Sequence, residues 1–192
     1  MSLTSQSLLD RLKRQPTPVD WQHLHDLYQP LIARWVARVP GLGDEVRDLT
    51  HEVLLVVYRE LPRFEHRGAG SFRAWLRAIT ANRMRAHCRT RPPIAGFGGG
   101  GTEDFLAQLE DPHSDLSRQW DEDHDRHVLD RLLRLVEPDF SAQTWDAFRR
   151  FAIEARPAAT VAAELGISEN TVLQAKSRVL RRLREEAGGL ID

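Results

Sequence analysis

Wherever this chain carries a hydrophobic rhythm, the apolar residues recur at steps of three and four, the spacing that lines one face of a helix. In TPVDWQHLHDLYQPLIARWVARV these positions are Leu24, Leu27, Leu31 and Trp35. DEVRDLTHEVLLVVYRELPRF places Val46, Leu49, Val53, Val56 and Val57 along one face, begins with acids that suit a helix N-terminus, and stops at Pro62. In SFRAWLRAITANRMRAHCRTR the stripe is Phe72, Trp75, Leu76 and Ile79, starting after Gly70-Ser71 as the expected N-cap. Arg73, Arg77 and Arg85 fall off that stripe, where solvent or a ligand is expected. Nothing alternates at the two-residue period of a strand over a useful length, so the pattern predicts an all-α fold.

Four more helical stretches follow: HVLDRLLRLVEP, SAQTWDAFRRFAIEA, PAATVAAELG and SENTVLQAKSRVLRRLREEA. Pro157 suits the first turn of the third, Gly166 its end, and Ser168 the cap of the fourth. A helix, a short turn at Gly166-Ile167 and a second helix is the spacing of a helix-turn-helix, with Leu165, Ile167 and Val172 as the wedge between them. From Asn170 through Arg184 the last helix has no acid but carries Lys176, Arg178, Arg181, Arg182 and Arg184. Asn170, Thr171, Gln174, Lys176, Ser177, Arg178 and Arg181 can hydrogen-bond to base edges or phosphates in a major groove.

Charge changes this picture more than composition does. The 192 residues have a formal net charge of only -1. Residues 1–92 nevertheless carry 15 Lys+Arg against 9 Asp+Glu, a net of +6. Residues 93–127 carry 2 against 9, a net of -7, and residues 128–192 carry 10 against 10. Between His66 and Thr102 there is no carboxylate at all. The neutral total is therefore an average over a basic module, an acidic connector and a mixed module, and such asymmetry points to a polyanion partner. The connector opens with RPPIAGFGGGGTEDF, whose prolines stop a helix and whose glycine run is flexible. The expected organisation is a domain at 1–92, a flexible acidic linker at 93–126 and a domain at 127–192.

Other classes find less support. No apolar run is long enough to span a bilayer, and the N-terminal MSLTSQSLLDRLKR lacks the basic-then-apolar order of a signal peptide. The single cysteine, Cys88, excludes an intramolecular disulfide and fits a reducing cytoplasm. A lone helix-surface thiol is the simpler view of it than a redox sensor. HLHD at 23–26 has no evident third ligand and HEVLL lacks the second histidine of a zinc helix, so no metal and no cofactor are expected. No nucleophile constellation or phosphate-binding glycine loop suggests an enzyme.

Taken together, DEVRDLTHEVLLVVYRELPRF, GSFRAWLRAITANRMRAHCRTR and TVAAELGISENTVLQAKSRVLRRLREE resemble regions 2.2, 2.3–2.4 and 4.2 of bacterial RNA polymerase sigma factors, sigma-70 family, extracytoplasmic function type. The resemblance implies two helical domains, core RNA polymerase (β′ clamp helices and β flap) and promoter DNA as partners, and an anti-sigma factor as a further possible one. It places Asp48, His51, Glu52, Leu55 and Arg59 against the clamp helices. His66, Arg67 and Ser71 would capture a flipped base of the -10 element, and Arg73, Arg77, Asn82, Arg83, Arg85 and Arg89 would follow the melted strand. Asn170 through Arg181 would read the -35 element. Trp75 is core by its spacing, or a stacking platform by this likeness. The acidic linker would imitate RNA in a basic channel, or would be a solubilising tether. The chain departs from the family pattern at His51, where Gln is common, at Leu54, where Phe is common, and at Ala86, where Asp is frequent. The start of the second domain lacks the usual LP and RE pattern, with Trp145, Phe148 and Phe151 supplying its core. A dimeric helix-turn-helix repressor or activator is the alternative, though it would explain little outside 157–186.

Overall fold

A computed structural model describes residues 7–39, 41–90 and 100–191. All regular structure among them is helical. The described residues divide into two compact units, one within residues 8–128 with 189–191, the other of residues 129–188 with Ser7.

The first unit begins with α1 (Leu8–Arg14) and α2 (Pro18–Val36). Thr17 starts α2 with a reciprocal cap: its hydroxyl accepts from the Asp20 backbone N–H while the Asp20 carboxylate accepts from the Thr17 backbone N–H. Asp20 also takes a hydrogen bond from Arg11 at 2.8 Å, tying α1 to the start of α2. Burial works against ionisation of Asp20, but the Thr17 hydroxyl, the Arg11 guanidinium and the Thr17 backbone outweigh it and hold the carboxyl below its ordinary value. α3 (Glu45–Glu60) buries Leu49, Val53, Leu54 and Val57, then tightens into a 3₁₀ turn at Leu61–Arg63. α4 (Ser71–Arg89) packs against α3. Of the expected Gly70-Ser71 pair, Gly70 is the cap: at φ 71° the glycine takes the left-handed turn, and a Cβ there would meet the Arg73 guanidinium at 3.1 Å. The Ser71 hydroxyl instead accepts from the Arg67 backbone N–H at 3.3 Å.

The expected flexible linker at 93–126 takes a different form where it is described. Residues 91–99, which include Arg91 and the start of the glycine run, lie outside the described residues. Beyond them come α5 (Gly100–Glu110) and α6 (Asp115–Val136), so the acid-rich stretch is largely helical. Leu106, Leu109, Trp120, His124 and Val128 are fully buried. These positions are sparse among the acids, yet they follow helical spacing and form one stripe in each helix.

The front of α6 is held from two sides. Toward α2, the Trp120 and Trp35 rings lie 5.0 Å apart, and His127 Nε2 is 2.6 Å from the Leu27 carbonyl. Arg38 lies over the Trp35 ring and reaches Gln119 and Asp123. Toward α4 the contacts are ionic and are described below.

The second unit contains the rest of α6, a 3₁₀ turn (Glu137–Asp139), α7 (Ala142–Phe148) running into a π-helical turn (Arg149–Ile153), α8 (Ala158–Leu165) and α9 (Glu169–Ala187). Gly166 ends α8 at φ 64°, and the Ser168 hydroxyl caps α9 by accepting from the Thr171 backbone N–H. Val161, Ala162 and Val172 form the buried contact between α8 and α9, with Phe151, Ala158, Leu165 and Ile167 around it. Small Ala162 lets the two helices cross closely. Phe148 is buried and Trp145 is half-buried beside it, with ring centroids 5.4 Å apart.

Trp120→Ala should cost about 3–5 kcal/mol, the range for removing a buried aromatic. Urea unfolding followed by circular dichroism measures it. An unchanged unfolding midpoint would mean that residues 115–128 are a tether after all.

Candidate nucleic-acid interface

α4 has two chemically different sides. On one, three of the arginines expected to meet solvent or DNA are met by acids from the same chain. Arg77 donates to Asp121 at 2.8 Å and to the Ser117 carbonyl at 3.4 Å, and its side chain is only 7% exposed. Arg73 donates to Asp125 at 2.7 Å and lies 3.4 Å from Asp121. Arg85 is paired with Glu103 at 3.1 Å and with Glu110. The expectation that all three face a ligand is corrected for Arg77, which is buried against α6. Arg73 and Arg85 are held by carboxylates at a partly exposed edge. The acids missing from residues 66–102 are supplied from α5 and α6.

A hydrogen-bonded relay extends this seam into the core. His124 is fully buried and stacks on Tyr28, with ring centroids 5.7 Å apart. Its Nδ1 is 3.0 Å from Asp125 Oδ1, and its Nε2 is 3.4 Å from the Tyr28 hydroxyl. If Nδ1–H donates to Asp125, Nε2 is left to accept from Tyr28. Burial pushes the Tyr28 phenol well above its ordinary value, and the Asp125 charge adds to that. For Asp125, burial disfavours the charge, but the His124 hydrogen bond and the Arg73 charge outweigh it and hold the carboxyl below its usual range. For Arg85 the hydrogen bond with Glu110 dominates, opposed by burial and helped by the charges of Glu110 and Glu103, so the guanidinium is pushed further up.

The other side of α4 is open. Trp75, Asn82 and Arg89 recur every seven residues and so share one face, with Ala78 and Ala86 between them. Asn82, Arg89 and Ala78 are exposed, and Ala86 is half-buried. At the N-terminal end of this strip lies a cleft of about 450 Å³ lined by Arg63, Phe64, Glu65, Arg67, Ser71 and Trp75. Trp75 is half-buried, 5.0 Å from the Phe64 ring and 5.4 Å from the Phe72 ring. Lys13 sits over the Phe64 ring at 4.8 Å. Arg67 pairs with Glu65 at 3.3 Å, and exposed His66 accepts at Nδ1 from the Gly68 backbone N–H at 3.4 Å. Arg83 flanks the strip and reaches Glu52 of α3 at 3.4 Å. Of the nine expected strand-contacting residues, Arg67, Ser71, Asn82 and Arg89 therefore lie at the cleft or on the strip, and His66 is exposed in the loop beside the cleft without lining it. Arg83 and Arg85 border the strip, and Arg73 and Arg77 lie on the far side. Arg63 and Phe64 were absent from the sequence-based set; their signal was the aromatic-basic run LPRFEHR.

On α3, Asp48, His51, Glu52, Leu55 and Arg59 are all exposed, and they recur at helical spacing along one face. Leu55 is 65% exposed at its centre, an apolar residue among charges. In the second unit, Asn170, Gln174, Ser177, Arg178 and Arg181 share one exposed face of α9. Arg178 donates to the Gln174 carboxamide oxygen at 3.2 Å. Thr171 is exposed, but its hydroxyl is 2.8 Å from that of Ser168 within the helix cap. Lys176 points off this face, over the Phe151 ring at 5.2 Å. Leu173 is exposed at the edge of this face, an apolar residue outside the expected polar set.

Residues 24–92, which run from within α2 through α4 and include the cleft residues, match the model of the family described as Sigma-70 region 2. That segment is thus similar to sigma-70 region 2. No curated protein matches the chain. Among the described residues no helix is long and apolar enough to cross a membrane, and no group of three or more His, Cys, Asp or Glu side chains could hold a metal ion.

The relay has a pH signature. Because folded Asp125 ionises below its ordinary value, its contribution is complete above about pH 4 and is lost as pH falls through the lower folded value. Asp125→Asn should therefore be less stable than the wild type at pH 7 and converge with it in stronger acid, as read from urea midpoints across pH. An equal deficit at both ends would remove ionised Asp125 from the account.

Proposed function

We propose that the chain is a sigma factor of the extracytoplasmic function type, which binds core RNA polymerase in the cytoplasm and directs promoter recognition and melting without catalytic chemistry of its own. The observation that carries this is the open strip of α4, which starts at an aromatic, cation-rimmed cleft and continues through Asn82 to Arg89. Single-strand recognition needs this combination: a pocket with planar surfaces for an unstacked base, and polar or cationic groups tracking the backbone beyond it. A duplex reader would have no use for the cleft.

In this reading Phe64 and Trp75 offer ring surface to a flipped base of the -10 element, and Ser71, His66 and Arg67 contact its edge or sugar-phosphate. Asn82, Arg83 and Arg89 follow the strand. The exposed α3 face from Asp48 to Arg59 docks on the β′ clamp helices, with Leu55 as its apolar anchor. α8 and α9 serve as the helix-turn-helix for the -35 duplex, with Asn170, Gln174, Ser177, Arg178 and Arg181 toward the groove. The proposed domains are a region 2 domain through residue 92 and a region 4 domain from residue 127. An anti-sigma factor would act by covering one of these faces.

Reconstitution with core polymerase and a library of genomic fragments tests the proposal, the expected result being promoter-dependent transcripts. If none appear, and the protein alone footprints a palindromic duplex as a dimer, it is a conventional repressor or activator. Arg178→Ala should weaken duplex binding upstream by about 1–3 kcal/mol. Trp75→Ala should leave that binding intact and impair strand opening by a stacking contribution of about 1–3 kcal/mol.

A further inference from the structure

Arg85 stands at the border between the two sides of α4. With Asn82, Ala86 and Arg89 it completes the steps of three, four and seven that share a helix face, so its backbone position belongs to the edge of the open strip. Its guanidinium, however, is turned to α5, where Glu103 and Glu110 take it from the two ends of that helix. Between the two acids, fully buried Leu106 and Leu109 anchor α5 to the first unit, so the carboxylates are delivered by a fixed element.

Glu110 is the last residue of α5. A carboxylate there opposes the helix dipole, a placement that destabilises the helix unless a cation meets it. Arg85 is that cation. The Glu103 side chain is 62% exposed and that of Glu110 33%, so the triad remains in contact with water and its hold on Arg85 is modest. Pairs of this exposure are weak and are screened by salt. Arg77, whose side chain is only 7% exposed beside Asp121, has no such freedom.

Resting on the single-strand reading above, we propose that Glu103 and Glu110 form an internal counter-anion clamp that withholds Arg85 from nucleic-acid phosphates and lowers the chain's affinity for single-stranded DNA. A strand lying on the strip displaces the two carboxylates and gains one cation. The clamp disfavours strands that pass Arg85 without making the contacts of the cleft.

The test is a double-mutant cycle on the full-length protein with core polymerase. It uses a fluorescein-labelled single-stranded DNA oligonucleotide of random sequence, anisotropy as the readout, and a series of salt concentrations. Glu103→Gln with Glu110→Gln should tighten binding roughly three- to tenfold at low salt and steepen the log–log salt dependence by about 0.7, the value for one added phosphate contact on a single strand. Arg85→Ala should change little in the wild type and should abolish the gain in the glutamine background. Asp104→Asn with Glu122→Gln, two exposed acids of the same stretch, should not reproduce it. Circular dichroism checks that each variant keeps its helix content. The clamp is overturned if the glutamine variant binds like the wild type, if its gain survives Arg85→Ala, or if the control acids give the same gain. If wild type binds and Asn82→Ala weakens it while the acids have no effect, only the clamp fails. If no form binds the strand, the single-strand reading fails with it.

Discussion

The ionic seam between α4 and α6 is the constraint on which the first unit depends. Arg77 cannot be buried alone: an unpaired guanidinium in the interior is strongly unfavourable, so its place in α4 requires Asp121 to be opposite. Asp121 and Asp125 are in turn spaced one helical turn apart, which lets them meet Arg73 and Arg77, likewise one turn apart. That match sets the register of α6 on α4. Trp120 and His124, on the adjoining face of α6, are then directed at Trp35 and Tyr28 of α2. Polar pairing chooses the alignment, and the apolar and aromatic contacts stabilise it.

From this follows a division of labour within one helix. The side of α4 that carries Arg73 and Arg77 is committed to the fold. The side that carries Trp75, Asn82 and Arg89 is left open by α5 and α6, and small Ala78 and Ala86 keep it free of bulk. Arginine content alone would have assigned every guanidinium to DNA. Pairing geometry separates those that hold the domain from those that can hold a ligand, with Arg85 at the boundary.

Much of this was legible in the sequence, and the failures share a cause. The apolar steps of α2, α3 and α4, the caps at Ser168 and Gly166 and the close packing of α8 on α9 are local, so the residues that determine them lie within a few positions of each other. α5 and α6 were hidden because their stripes of Leu106, Leu109, Trp120 and Val128 are thin among acids and follow a glycine run, a composition that reads as tether. The burial of Arg77 was hidden because its partner lies 44 residues away and nothing near Arg77 announces it. The charge map held the clue in plain form: a segment without acids followed by a segment rich in them is what two halves of an ionic seam look like when laid end to end. At the site, Asn82 and Arg89 were named through the resemblance and sit on the open strip, whereas the cleft required the turn at Leu61–Arg63 to bring Phe64 beside Trp75.

The most direct test of the two-sided helix is photocrosslinking in the open complex. The non-template strand would carry 4-thiothymine through the melted region, and the crosslinked peptides would be mapped to single residues. The account predicts adducts at the cleft and along the strip, at Trp75, Asn82 and Arg89, with none at Arg73 or Arg77. Adducts concentrated at Arg73 and Arg77 would mean that α6 leaves α4 when the strand binds, and would contradict it.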